Sequence, residues 1–493
     1  MADRIETRRQ FLTSLACGAA ALTTGCHDLR NNSKSSPPNF VLIIGDDISI
    51  DDFGCYGHPH IRTPNIDRLA AGGIRFTNAY LTASQCSPTR CSIISGRYPH
   101  NTGAPELHMP LPRGQPLFPL KLKEVGYYTA AAGKWHMGSY PKRAFTHRLS
   151  EEGPGGEANW VTCLRERPQD KPFFMWLASG DAHRPWQPDS EAQPHKPADA
   201  VIPPYMADLP DTRKDLACYY DELQRLDRYV GFVAGELKRQ KVLDNTLIIF
   251  MADNGRPFPR CKTWLYDSGI KTPFIVHWPS GTAKPGGLCS SLVSVLDIAP
   301  TILELAGLQA PSSMQGLSFV SLLKDPSRQI RRYAFAEHNW HDQTAHERLV
   351  RWKNYVYIRN ARPQLDNLVA AHWNEPSYKD LFRLRDQGKL SPAQADVLRA
   401  PRPAEALFDL STDFHQLNNI VGQPNHKKTL EHLRQQMDQW QHRTGDTVPQ
   451  HLTQDRFDRQ TGQALFEGLV PPQRGIIPGS QRNAQNINDP GPR

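Results

Sequence analysis

Residues 85–97 read Gln-Cys-Ser-Pro-Thr-Arg-Cys-Ser-Ile-Ile-Ser-Gly-Arg, so the thiol of Cys86 stands one helical turn before the guanidinium of Arg90. Two roles are open to such a cysteine. A neighbouring cation and a helix N-terminus both favour the thiolate, which would make Cys86 a nucleophile. A small buried residue at a helix start is the plainer alternative. Other reactive groups are spread along the chain. The apolar run Asn39–Gly45 stops in Asp46-Asp47, and a second, Thr246–Ala252, stops in Asp253-Asn254-Gly255. A lone Asp-Asp pair would read as a helix N-cap. Carboxylates and an amide at the ends of two such runs instead suit a hard cation, calcium rather than zinc, because the donors are oxygens and not thiolates or imidazoles. Lys134 and His136 flank Trp135. In an extended segment the two point to one side and Trp135 to the other, which suits holding an anion and moving a proton. His183 lies just past a third apolar run, 171–178.

The elements that must position these groups are legible in outline. Runs 39–45, 171–178 and 246–252 are continuous, aliphatic and aromatic, as in strands buried on both faces of an open sheet, where ligands collect beyond the carboxyl ends. Thr63-Pro64 opens a helix with Ile66, Leu69 and Ala70 on its apolar face. Leu216, Tyr220, Leu223, Leu226, Val230, Val233 and Leu237 recur at helical spacing and predict a long core-forming helix. A helix over 294–307 closes the larger domain. Past Asp325 the pattern changes: Tyr333–Glu337 and Leu349–Ile358 read as strands of a small antiparallel sheet, and Leu430, Leu433, Met437 and Trp440 share one face of a last helix. The loop Glu337–Asp342, with His338 and His341, suits a sugar subsite shaped by the smaller domain. The organisation expected is a catalytic domain over 39–325, a C-terminal subdomain over 326–447 and a polar, peripheral or disordered tail over 448–493.

The chain has 493 residues, with 42 prolines and 34 glycines that indicate many loops, and a formal net charge of +8. That excess suits an anionic substrate, although on so long a chain it also describes ordinary solvated surface. No tandem repeat and no nucleic-acid-binding signature is present, so no nucleic-acid partner is expected. At the N-terminus, Arg8-Arg9 precedes an apolar segment, Leu12–Leu22, too short to span a bilayer. Residues 1–26 therefore read as a twin-arginine-like export signal, with Cys26 as a candidate lipidation site and 27–38 as a linker. An exported, periplasmic or membrane-tethered location follows. It permits disulfides among Cys55, Cys91, Cys163, Cys218, Cys261 and Cys289, whose wide spacing leaves the connectivity open.

Taken together, Cys86-Ser-Pro-Thr-Arg90, the strand-end aspartates, Gly133-Lys134-Trp135-His136 and Asp253-Asn254-Gly255 resemble the motifs of the type I sulfatases, in the same order, over about residues 38–446. Within that family the sulfamidases, or heparan N-sulfatases, look nearest. Residues 253–259, residues 101–112 with His108, and residues 406–410 with Asn418-Asn419 carry that likeness. Two positions depart from the branch: Lys262 stands where it carries arginine, and Thr89 replaces the usual serine. The resemblance implies an alkaline-phosphatase-like α/β fold, a large mixed and mostly parallel sheet flanked by helices, with a smaller C-terminal α+β domain. It implies that a dedicated maturase oxidises Cys86 to formylglycine, whose hydrate attacks sulfur with help from calcium and Arg90. By the same likeness Asp46, Asp47, residue 86, Asp253 and Asn254 bind calcium, and Lys134 and Lys262 contact sulfate. His183 protonates the leaving group, His136 is the base that expels sulfate, and His108, His338 and His341 line the substrate. The substrate implied is a sulfated glycan or small sulfate ester. The sister reading is a phosphonate or phosphodiester hydrolase of the same superfamily; the non-enzyme reading is a glycan-binding homologue with a degenerate site.

Overall fold

The strands that carry the aspartates lie side by side at the centre of an eight-stranded sheet. The computed structural model describes residues 36–189, 191, 193–367 and 372–493. The export signal and Cys26 fall outside these. From edge to edge the sheet runs His147–Leu149, Tyr128–Gly133, Phe173–Ala178, Asn39–Gly45, Thr246–Ala252, Phe274–His277, Ile74–Phe76 and Gly287–Cys289. The first five strands are mutually parallel, and Phe274–His277 runs antiparallel to both its neighbours, so the sheet is mixed and mostly parallel, as expected. Alternate residues of the central strands enter different cores. Phe40, Leu42, Ile44, Trp176 and Ile249 pack on one side with helices Cys86–Ser95 and Ile298–Leu305. Val41, Ile43, Met175, Leu177 and Phe250 pack on the other with the long helix Pro210–Arg239. Period-two alternation with both faces covered is why these runs carry no polar residue past the first, Asn39 in one and Thr246 in another.

The second sheet is antiparallel, in the order Tyr333–His338, Glu347–Trp352, Tyr355–Asn360 and Glu405–Asp409. The single strand expected over 349–358 is a hairpin: the chain reverses at Lys353, whose φ of 50° breaks the extended run. One face, with Phe335, Val350, Tyr357 and Leu407, packs on Leu430, Leu433, Met437 and Trp440 of helix Lys427–Thr444. Its other face, with Ala334, Ala336, Leu349 and Val356, joins the large core. The small sheet is therefore tied to the large one by packing, and residues 38–493 form one compact unit.

Residues 448–493 make specific contacts despite their polar composition. Thr453 and Arg474 both bond the Glu106 carboxylate, Arg456 pairs with Asp342, and the Arg97 guanidinium donates to the carbonyls of Gln485 and Ile487. Charged partners on the body of the protein hold this segment, which hydropathy alone does not register. Cys55, Cys86, Cys91, Cys163, Cys218, Cys261 and Cys289 are all free thiols.

Candidate active site

Register brings the site together. Gly45 pairs with Ala252, Ile44 with Ala178, and Gly133 with Ala178, so four neighbouring parallel strands end at one level. The next residues of each then converge at the carboxyl edge of the sheet, where α/β folds bind ligands. Asp46 and Asp47 leave one strand, and Asp253 and Asn254 leave its neighbour. Lys134 follows Gly133, and its backbone N–H donates to the Ala178 carbonyl. The segment after Ala178 crosses to the aspartates: the Asp46 N–H donates to the Asp181 carbonyl at 2.7 Å and the Ala182 N–H to the Asp46 carbonyl at 2.6 Å. That crossing sets His183 Nε2 3.9 Å from Asp47 Oδ2, with its side chain 44% exposed.

The fifth contribution comes from helix Cys86–Ser95, whose N-terminal residue aims into the cluster. Cys86 Sγ lies 3.1 Å from Asn254 Oδ1, 3.4 Å from Asp46 Oδ1, 3.8 Å from Asp47 Oδ1 and 3.9 Å from Lys134 Nζ. Arg90, one turn later on the same helix face, donates from Nε to Asp253 Oδ2 at 2.7 Å and from Nη1 to the Lys134 carbonyl at 3.0 Å. The Thr89 hydroxyl donates to the Ala83 carbonyl, so the threonine that departs from the branch braces the turn from beneath. Lys262 Nζ donates to Asp47 Oδ2 at 2.8 Å, and its loop is anchored to the same turn by the Thr263 N–H on the Ser84 carbonyl. Lys134 makes an ion pair with Asp46.

The electrostatics are those of a dense, largely buried, charged cluster. Burial by itself would raise the Asp46 and Asp47 carboxyls, but Lys134 beside the first and Lys262 beside the second hold both below the usual range. Burial and the adjacent Asp46 push the Asp253 carboxyl up to about 7, against the pull of Arg90. Burial and Asp46 also drive the Cys86 thiol well above its ordinary value. The cations answer in the opposite sense: burial alone would lower Lys134 and Lys262, but Asp46 and Asp47 raise them. Ligand atoms of Asp46, Asp47, Cys86 and Asp253 all lie within 4.8 Å of one another, and every one is buried. Each carboxylate has a cation of the chain beside it, Lys134 at Asp46, Lys262 at Asp47 and Arg90 at Asp253, and the oxygen-rich donor set they leave is one that could hold a hard metal ion. Arg90 Nη2 and His136 Nδ1 are buried without a hydrogen-bond partner, which fits an anion or hydroxyl still to be supplied.

Lys134 and His136 are not related by strand alternation. The strand ends at Gly133, and His136 has a φ of 55°, so the backbone turns between the two. Lys134 reaches the cluster, while His136 Nε2 lies 2.7 Å from Nδ1 of His108, itself held by a backbone bond to Ser87 Oγ. Burial and then Lys134 push His136 down to about 2, and burial and His341 push His108 down to about 4, so both are neutral imidazoles. The loop after strand Tyr333–His338 docks beside the turn that opens helix Cys86–Ser95, with Gln85 Nε2 donating to the carbonyls of Asn339 and Trp340. His338 is buried against Glu347 at 3.1 Å, and His341 Nδ1 lies 3.2 Å from Asp342. One residue escaped the sequence reading. His372 is pushed down to about 3 by burial first and then by Lys262, with His341, Arg184 and Asp47 also acting on it, so it lies within electrostatic reach of the cluster. No periodicity or motif marks it; only the fold brings it here.

Comparison with known proteins agrees with this geometry. A family model described as Sulfatase matches residues 38–155 and 158–308, and one described as N-sulphoglucosamine sulphohydrolase, C-terminal, matches residues 260–370. The chain is 28% identical over 480 residues to a human N-sulphoglucosamine sulphohydrolase, covering 87% of this chain and 94% of that one. It is 28% identical over 468 residues to an ulvan-active sulfatase of Formosa agariphila, covering 83% and 75%. A solved structure of a protein in complex with its substrate, D-glucosamine-2-N,6-O-disulfate, shares the fold with a TM-score of 0.64 at 19% identity, covering 82% of this chain and 98% of that one. The chain belongs to the sulfatase family, as a sulfuric ester hydrolase of the type I class close to its sulfamidase branch.

Proposed function

We propose that the protein hydrolyses sulfate esters or sulfamates of a sulfated glycan, using formylglycine at position 86 and a calcium ion. The observation that carries this is the position of the Cys86 side chain inside the carboxylate cluster. A thiolate there would face three carboxylates in a buried site, and the raised thiol pKa argues against sulfur as the nucleophile. A hydrated aldehyde at the same position would offer two hydroxyls, one to attack and one to release the product.

Asp46, Asp47, Asp253 and Asn254 would hold calcium, which polarises sulfate oxygens when bound. Arg90 orients the group at position 86 and balances Asp253. Lys134 and Lys262, both charged, neutralise the equatorial sulfate oxygens as charge redistributes. His183, at the open side of the cluster, donates a proton to the departing amine or alcohol. His136 takes a proton from the hydroxyl that remains as sulfate leaves. Export through the N-terminal segment belongs to the same reading.

The match of residues 260–370 to the N-sulphoglucosamine sulphohydrolase C-terminal model supports an N-sulfated glucosamine at a chain end as the first substrate to try. Lys262 presents a single ammonium where that branch has the planar fork of arginine, which favours testing O-sulfated sugars alongside it. The test has two parts. Mass analysis of the Cys86 peptide from a host with a formylglycine-generating maturase should show the aldehyde. Sulfate release should then be measured over N-, 2-O-, 3-O-, 4-O- and 6-O-sulfated glucosamines and galactosamines, with a phosphodiester as control. Full activity in Cys86→Ala, or faster turnover of the phosphodiester, would overturn the proposal.

A further inference from the structure

A second cleft opens at the far end of the small sheet from the active site. Its volume is about 460 Å³, and Arg331, Arg332, Arg351, Lys353 and His432 are among its lining residues, together with Tyr333 and Trp352. No aspartate or glutamate lines it among the described residues. Register gives its place: Tyr333 pairs with Trp352 at one end of the strand pair, and His338 pairs with Glu347 at the other. Five strand steps separate the two ends, about 16 Å at the rise of an extended chain. The cleft is therefore not a wall of the cluster around Cys86.

The cations differ in how far their charge is already spent. Arg331 is buried and paired with Asp297. Arg351 is buried with no carboxylate partner among the described residues; its Nε donates to the Tyr80 hydroxyl at 2.9 Å and its Nη1 to the Tyr355 carbonyl at 3.2 Å. The Tyr80 hydroxyl that accepts from Arg351 also engages the Asp267 carboxylate, at 3.2 Å. Arg332 and Lys353 are exposed at the rim and also lack a carboxylate partner among the described residues. Lys353 is held over the Trp352 ring, 4.4 Å from its centroid, by the hairpin residue's left-handed backbone, and His432 packs against the same ring. A concave surface with three uncompensated cations and polar ring edges is built for a multiply charged anion rather than for an apolar ligand.

We propose that this cleft is a second binding site for a sulfated oligosaccharide, which Arg332, Lys353 and Arg351 hold through its sulfate groups while the active site processes the chain end. The ligand class rests on the sulfated-glycan reading above; the existence of an oligoanion site rests on the cleft alone. The test uses the full chain carrying Cys86→Ala, so that no turnover is needed, and a fluorescent heparin-type hexasaccharide as probe. Arg332→Glu/Lys353→Glu should weaken binding about tenfold or more, as reversal of two rim charges predicts. Lys238→Glu/Lys389→Glu, which makes the same change of net charge elsewhere on the surface, should leave binding nearly unchanged. Desulfated hexasaccharide should not bind. In the active enzyme the rim variant should raise KM for the hexasaccharide and leave turnover of 4-nitrophenyl sulfate as it was. Unchanged affinity in the rim variant, an equal loss in the control pair, or equal competition by a charge-matched oligonucleotide would each overturn the site. A protein that binds the hexasaccharide through this cleft yet releases no sulfate from any sugar would refute the functional reading and leave the cleft standing.

Discussion

His136 Nε2 and His108 Nδ1 lie 2.7 Å apart, so one of these two half-buried imidazoles donates a hydrogen bond to the other. Because both are held neutral, the contact selects a tautomer pair rather than a charge. It leaves His136 Nδ1, buried and unbonded, as the nitrogen with capacity to spare. When His136 is the donor, its Nε2 carries the proton and its Nδ1 keeps the free lone pair, so in that tautomer the contact with His108 leaves Nδ1 as the atom that can act as a base.

If so, His136→Ala should block the second half of the reaction more than the first. With an activated aryl sulfate, phenol release should show a burst close to the enzyme concentration, then a steady rate lower by roughly 10²–10⁴-fold. His108→Ala should give a smaller loss of the same kind. Loss of the burst itself in His136→Ala would assign the residue to the attack step or to binding.

Calcium should bind before any substrate does. Thermal unfolding of the wild-type protein should move to higher temperature on adding calcium, by the equivalent of roughly 2–3 kcal/mol at about a hundred times the dissociation constant. Asp47→Asn and Asp253→Asn should lose most of that gain, because each removes one carboxylate from the cluster. A calcium-dependent shift that survives both substitutions would put the ion elsewhere.

The pH dependence should report His183. Lys262 is the largest influence that lowers its pKa, followed by burial. A general acid must be protonated to act, so kcat/KM should fall as pH rises through the His183 pKa. Removing the cation in Lys262→Met relieves the lowering, so the alkaline limb should move to higher pH even though the rate drops. His183→Ala should abolish that limb and hurt sugar sulfates far more than activated aryl sulfates, since a good leaving group needs little protonation. An unmoved limb in Lys262→Met would sink the assignment.

Gly133 should tolerate no side chain. Its φ is 86°, and a Cβ built there would lie 1.9 Å from the Ala178 carbonyl oxygen, the acceptor of the Lys134 N–H. Gly133→Ala must therefore push the strand end apart and carry Lys134 away from Asp46. The expected result is a lower unfolding midpoint together with a large loss of turnover; a variant with wild-type activity would show that Lys134 is not held by this contact.

The sequence by itself determined the central strands and the carboxylates that follow them. Runs 39–45 and 246–252 coincide with strands Asn39–Gly45 and Thr246–Ala252, because burial on both faces excludes polar residues beyond the opening Asn39 and Thr246 and the aspartates mark the stop. Helical spacing likewise found Pro210–Arg239, since one face must stay apolar over its entire length. Tertiary structure alone decided what touches what. The pairing of His108 with His136 and the docking of Asn339 and Trp340 on Gln85 join residues far apart in the chain through loops without periodicity. The hairpin at Lys353 was hidden for a related reason: both its strands are apolar on the buried side, so a reversal of direction leaves almost no trace in hydropathy. The tail escaped because specific ion pairs such as Arg474 with Glu106 hold it, and a charge's partner cannot be read from its own sequence neighbourhood.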